Sequence, residues 1–379
     1  MLALTIRGKA TYAQVMRLAW IIATASVSTA CRFDLPAASA DAESDASDAP
    51  SRVCYGAANG IVKPCFDLAP TGDVTLDAAI NTTIEPSCSV VVLDVPAGLC
   101  VVAGANITVP AGVTVAVGGT RPLVLVATGT ISVDGNLDAA SRHAPSAPYD
   151  TFQIGAGANP TGGCNAPGVP GASGGAAGGS FMVLGGAGGG GIGSTGGSPG
   201  AAQSTLALRG GCPGQSALGT LGGRGGRGGG AVYLIANSIN IPGTINASGE
   251  GGGPGLTGAS SGGGGGGAGG LIGLDAATIN NTGLVLANGG GGGEGSGGGT
   301  SGLPGADPTG VAPATGGIGG SAGGNGGVGG AGGTGGGNNT GSNGQSTAND
   351  GGGAGGGGTG VIKVYRSVLG GTHSPSPTP

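Results

Sequence analysis

Leu234-Ile-Ala-Asn-Ser-Ile-Asn-Ile-Pro-Gly243-Thr-Ile-Asn-Ala-Ser-Gly249 lies without gaps on Leu274-Asp-Ala-Ala-Thr-Ile-Asn-Asn-Thr-Gly283-Leu-Val-Leu-Ala-Asn-Gly289, at an offset of 40 residues. Identities include Ala236 with Ala276, Ile239 with Ile279, Asn240 with Asn280 and Ala247 with Ala287. Each copy holds an apolar β-branched run, a polar bend, an alternating run such as Ile239-Asn-Ile241, a glycine turn and a second short strand. Alternation of period two with Asn or Gly at the bends predicts strands. Self-similarity at a fixed offset predicts stacked units, each burying its apolar face only against the next. The expected fold is therefore all-β, a parallel β-helix or solenoid with long glycine-rich loops. An antiparallel β-sandwich is the alternative, because patterning does not give strand direction. In the stacked form Ile239 lies over Ile279, and Asn240 over Asn280 as an inward amide ladder.

The same texture extends outward from this pair. An earlier copy is Leu123-Val-Leu-Val-Ala-Thr-Gly-Thr-Ile-Ser-Val-Asp-Gly135, and a truncated last one is Val361-Ile-Lys-Val-Tyr-Arg366. Residues 90–140 carry further short strands without glycine loops, among them Val90-Val-Val-Leu93 and Val113-Thr-Val-Ala-Val117.

Between the units run glycine tracts at about 155–230, 250–270 and 289–360. Of 379 residues 98 are glycine, several times the usual share of about 7%. Glycine loses the most entropy on ordering and brings no side chain to bury. Such tracts either use backbone hydrogen bonds or stay mobile. Residues 222–230 read Gly-Gly-Arg, Gly-Gly-Arg, Gly-Gly-Gly, and Gly323 to Gly336 repeats Gly-Gly-x. A period of three matches the turn of a polyproline-II-type helix; flexible loops are the alternative. Scarce proline and a broken Gly-x-y phase exclude collagen.

The first residues address the chain. Arg17 precedes a 13-residue apolar run, Leu18 to Ala30, and then Cys31. A membrane-spanning helix needs about 20 apolar residues, so this run reads as an export signal over residues 1–30. Met16-Arg17 offers a compact start, so translation begins at Met1 or at Met16. Val27-Ser28-Thr29-Ala30-Cys31 resembles the bacterial lipobox, in which the cysteine is cut free and acylated; Ser28 departs from its usual Leu or Val. That resemblance implies lipid on Cys31; the alternative is simple secretion. Residues 31–52 are rich in Ala, Ser, Asp and Pro, the composition of a disordered linker. A β-rich start over 53–141 and glycine-interrupted units over 142–379 complete the expected organisation.

Beyond Cys31, six cysteines fall into neighbouring couples: Cys54 with Cys65, Cys88 with Cys100, Cys164 with Cys212. Six cysteines allow 15 connectivities, and this scheme rests on spacing. Metal binding is disfavoured, since no Cys-x-x-Cys occurs and His143 and His373 are isolated. A net charge of -5 gives no reason to expect nucleic acid. No Gly-Lys-Ser/Thr tripeptide exists to cradle phosphate, and no cofactor is expected. Asp134 and Asp138 bracket a glycine turn with Arg142 and His143 nearby; Asp-Gly is common turn chemistry.

Three segments, Val53-Cys-Tyr-Gly56 to Cys65, Thr120-Arg-Pro-Leu-Val-Leu-Val-Ala127, and Gly228-Gly-Gly-Ala-Val-Tyr-Leu-Ile-Ala236 with its echo at Gly269 to Ala276, resemble a group of glycine-rich exported lipoproteins of social gliding bacteria. The resemblance spans nearly the whole mature chain. It implies location and architecture but no chemistry. The sequence thus points to an envelope lipoprotein, at the outer membrane or cell surface, that is structural or adhesive and not an enzyme. The membrane, through its lipid, and polysaccharide or matrix are its expected partners. A carbohydrate-binding or carbohydrate-active protein is the alternative.

Overall fold

The computed structural model describes residues 52–84, 88, 98–143, 154–160, 163–203, 207–297, 299–318, 332–333 and 340–379. The export signal, Cys31, the linker up to residue 51, Val90 to Leu93 and most of the repeat at Gly323 to Gly336 lie outside them.

Among the described residues there are strands and no helix. The chain first makes a small antiparallel pair, β1 (Val53–Cys54) with β2 (Cys65–Phe66). The later strands named below all pair in parallel. One sheet contains β3 (Val74–Thr75), β5 (Cys100–Gly104), β6 (Ile107–Val109), β8 (Leu123–Ala127), β9 (Thr130–Val133), β11 (Ala231–Ile241), β13 (Leu271–Asn281) and β15 (Val361–Tyr365). The second sheet runs β4 (Ile80–Asn81), β7 (Thr114–Gly118), β10 (Asn136–Asp138), β12 (Thr244–Asn246), β14 (Leu284–Leu286) and β16 (Thr372–Ser374). The long β11 pairs with β8 along its first half and β9 along its second. Ile239 pairs with Ile279, and Asn240 with Asn280.

These pairings correct the expected fold class in both its forms. An antiparallel sandwich is overturned because the pairings within both large sheets are parallel. The solenoid hung with glycine loops is overturned because the strands form two broad parallel sheets, of eight and six strands, with the glycine segments packed as a body of their own. Parallel sheets are usually covered by helices and buried on both faces. Here the second sheet, a short cysteine-bridged segment and hydrogen-bonded glycine chains provide the cover. The amide ladder is corrected too: Asn240 is half-exposed and Asn280 exposed, so both lie on the outer face while Ile239 points in.

The core follows from register. Val102, Leu125, Leu234, Leu274 and Val364 occupy one column of the first sheet. They meet Val115, Leu137, Ile245 and Val285 of the second. On the outer side of the first sheet, Val124, Tyr233 and Ile235 are sealed by Val62 and Phe66 of the N-terminal segment. Asp275 is buried there. It accepts from the Ala57 amide at 2.6 Å and pairs with Arg366 Nε at 2.5 Å. The Tyr233 ring lies over Gly273 of the next strand, where a Cβ would stand 2.0 Å from it.

The chain leaves the second sheet after β10, β12 and β14, runs through glycine-rich segments and re-enters the first sheet at β11, β13 and β15. At each neck the returning glycine donates to the departing alanine: Gly230 to Ala139 (2.9 Å), Gly270 to Ala247 (2.8 Å) and Gly360 to Ala287 (2.7 Å). These glycines are obligatory, because a Cβ on Gly270 would fall 1.7 Å from the Gly230 carbonyl oxygen.

Beyond the necks the glycine chains form a lattice. Along residues 263–270, successive amides turn to three different neighbours. Gly263, Gly266 and Gly269 donate to Gly352, Gly355 and Gly358, each at 3.0 Å. Gly264, Gly267 and Gly270 donate to Gly253, Glu250 and Ala247, and Gly265 and Ala268 to Gln215 and Cys212. Three further segments donate to this one, with Gly223, Gly226 and Gly229 reaching the carbonyls of Gly262, Gly265 and Ala268. A three-residue turn without internal bonds thus has its polar groups satisfied on all sides. Cβ atoms at Gly264, Gly265 and Gly267 would sit 1.9–2.0 Å from neighbouring carbonyl oxygens. This explains the uninterrupted run from Gly262 to Gly267.

Overpacking by one methyl costs about 1–3 kcal/mol in a core that cannot relax. Gly267→Ala is expected to destabilise by that amount or more in thermal and denaturant melts. Gly370→Ala, where nothing lies within 4 Å of the added carbon, is expected to melt like the parent. Equal melts for the two variants would contradict the lattice.

Candidate functional site

The exits from the second sheet continue its parallel pairing for a few residues, and this brings polar side chains together. Ala139 and Ser141 donate through their amides to the Asn246 and Ser248 carbonyls. Ser141 Oγ donates to the Gly228 carbonyl (2.6 Å) and accepts from the Gly155 amide (3.0 Å). The Asn288 amide donates to Ser248 Oγ (3.1 Å), and Ser374 Oγ bonds Asn288 Oδ1 (2.6 Å).

At the rim of this column sits His143. Its Nδ1 lies 3.0 Å from Asp307 Oδ1, and its amide donates to Asp307 Oδ2 at 2.9 Å. The Gly251 amide also donates to Asp307, at 2.8 Å. On the other side, His143 Nε2 is 4.0 Å from Glu250 Oε1. Glu250 is buried, accepts from the Arg227 amide at 3.0 Å and lies 3.9 Å from Arg227 Nε. Asp138 closes β10 and forms an ion pair with Arg142. Asp134 stays in the turn, where Ser132 Oγ donates to it at 2.9 Å. Asp138, Arg142 and His143 thus belong to one cluster, and Asp134 does not.

The environment sets the charges. The hydrogen bond that the His143 ring donates to Asp307 raises the His143 pKa above its ordinary 6.5, against the opposing effect of burial. Burial pushes Asp307 up, but the bond and charge of His143, with two backbone amides, outweigh it and hold the carboxyl below its usual range. Burial pushes Glu250 and Asp138 up, past the opposing pull of their partners.

Beside the cluster lies a half-open cleft of about 380 Å³ on the outer face of the second sheet. Its floor is the in-register row Thr114, Asn136, Thr244 and Leu284, and its wall is Arg142 with the segment Asp307-Pro308-Thr309. Asn136 Nδ2 donates to Thr114 Oγ1 at 3.1 Å. Hydroxyls, amides, carboxylate and guanidinium line the cleft, an assembly suited to hydrogen-bonded recognition.

The cysteines are joined as Cys54–Cys65, Cys88–Cys100 and Cys164–Cys212, closing loops of 11, 12 and 48 residues. Disulfides of this kind belong to chains folded in an oxidising or extracellular environment. Among the described residues no helix is long and apolar enough to cross a membrane, and no group of three His, Cys, Asp or Glu is placed to hold a metal ion. Glu250 and Asp307 carried no sequence signal beyond being acidic residues in glycine-rich segments. Only the fold brings positions 138, 143, 250 and 307 together.

The described residues define a parallel-sheet protein with a glycine lattice and a polar cleft at the junction. Comparison with protein-family models, with curated proteins and with solved structures finds no match.

The pair has a pH signature. A raised His143 pKa contributes stability fully below 6.5, lost as pH rises through the folded value. A lowered Asp307 pKa contributes above 3.8, lost as pH falls through its folded value. Melting temperature is expected to decline as pH rises from about 6.5 towards 9, and His143→Gln to flatten that decline. An identical slope in the variant would contradict the pairing.

Proposed function

We propose that the protein is an exported structural or adhesive component of a bacterial cell envelope, held at the membrane by lipid on Cys31 and without catalytic activity. One observation carries this reading: most of the body is ordered by backbone bonds between glycine chains, and the few titratable groups within it are committed to one another. Glu250 and Asp307 each accept from backbone amides, and Asp138 is taken by Arg142. A general acid or base needs a proton-transferring group free to reach its substrate, and these carboxylates serve as fasteners.

The disulfides support export. The short apolar run before Cys31 and the Ala/Ser/Asp/Pro linker after it support a tethered body held away from the membrane. The outer membrane or cell surface is the proposed location, and matrix polysaccharide the proposed contact.

Metabolic labelling with a clickable palmitate tests the anchor. The parent chain is expected to take up label and fractionate with membranes, and Cys31→Ala to lose both. Equal labelling of the two would remove the anchor from this reading.

A further inference from the structure

We infer that the cleft on the second sheet is a binding site for a neutral polysaccharide chain, lying across the strands over Thr114, Asn136 and Thr244. The inference rests on the reading above and names the partner of the surface it describes.

The row is regular because the strands are in register: Asn136 pairs with Thr114 on one side and Thr244 on the other, and Thr244 with Leu284. Neighbouring strands are about 4.8 Å apart, so the floor presents a hydroxyl or amide at three successive strands over roughly 10 Å, with the apolar Leu284 one strand further on. That repeat approximates the advance of a pyranose chain, whose hydroxyls both donate and accept. Thr114, Asn136 and Thr244 likewise both donate and accept.

Charge selects the class. Arg142 is paired with Asp138, and Asp307 is held by the His143 ring and by the His143 and Gly251 amides, so neither charged group lining the cleft is left without a partner. An anionic ligand would have to displace Asp138 from Arg142, whereas a neutral polyol can bond the outward edges of both without breaking the pair. Among the described residues none that lines the cleft is aromatic, so they offer no platform for a stacked nucleobase. Leu284, Leu286 and Pro308 supply apolar contact of the kind that the C–H face of a sugar ring accepts.

The test uses the full mature chain flowed over immobilised cellohexaose, laminarihexaose, mannohexaose and chitohexaose, with oligogalacturonate as the acidic comparison. Binding to at least one neutral hexasaccharide is expected. The doubly substituted Asn136→Ala/Thr244→Val is expected to weaken it about tenfold or more. Thr278→Ala, on the exposed face of the other sheet, is expected to bind like the parent. Both substituted chains are also melted, so that misfolding is recognised. Should Asn136→Ala/Thr244→Val fail to fold, Arg142→Ala at the exposed wall replaces it under the same expectation. Absence of binding to every neutral hexasaccharide, binding to oligogalacturonate alone, or undiminished binding by the folded cleft variant would overturn the inference and leave the scaffold reading standing. Release of new reducing ends from a bound hexasaccharide, abolished by the same variant, would support the site while overturning the non-catalytic reading.

Discussion

A glycine backbone with three residues per turn offers its amides to three directions in succession, and each must find a carbonyl on a different neighbour. This requirement organises the molecule. In the segment around Gly265 it is met by partners at Gly352 to Gly358, at Ala247 to Gly253 and at Cys212 to Gln215. Such a lattice does not stabilise itself easily. Fixing a residue's backbone costs about 1–2 kcal/mol, and a hydrogen bond returns about 1 kcal/mol net. Glycine buries almost no apolar surface to make up the difference. The lattice therefore depends on what it is attached to.

Three features provide that attachment. The two parallel sheets bury an apolar core that holds the ends of each glycine excursion in register, and the necks at Gly230, Gly270 and Gly360 transmit that register outward. Phe181 and Ala268 pack with Ala231 and Leu271, joining the lattice to the sheets. Cys164–Cys212 closes a 48-residue loop, worth about 4 kcal/mol in the chain-entropy description. The polar junction at His143, Glu250 and Asp307 sits where these parts meet, and the cleft beside it is a by-product of the same register.

Much of this was legible in the sequence. The offset of 40 between Leu234 and Leu274 is the physical register of β11 on β13, because strands stacked side by side must repeat their apolar pattern. The Gly-Gly-Arg triplets at 222–230 marked the three-residue turn, since Arg224 and Arg227 occur at the spacing that leaves Gly223, Gly226 and Gly229 to bond inward. Other features were not legible. Whether Asn240 faces in or out depends on which residues of the pleat meet the second sheet, and period two alone does not say. Which neighbours each glycine segment bonds was not legible either, because nothing in a glycine run records its partners. Asp307 joins His143 across 164 residues, and a carboxylate among glycines gives no hint of its partner.

Hydrogen exchange of the native protein, resolved to single amides, tests the central claim most directly. If the lattice is as ordered as the sheets, the amides of Gly263 to Gly269 exchange only with the openings that expose Leu234 and Leu274, at comparable protection. Exchange of those glycine amides at the rate of an unstructured peptide, with the strands still protected, would contradict it.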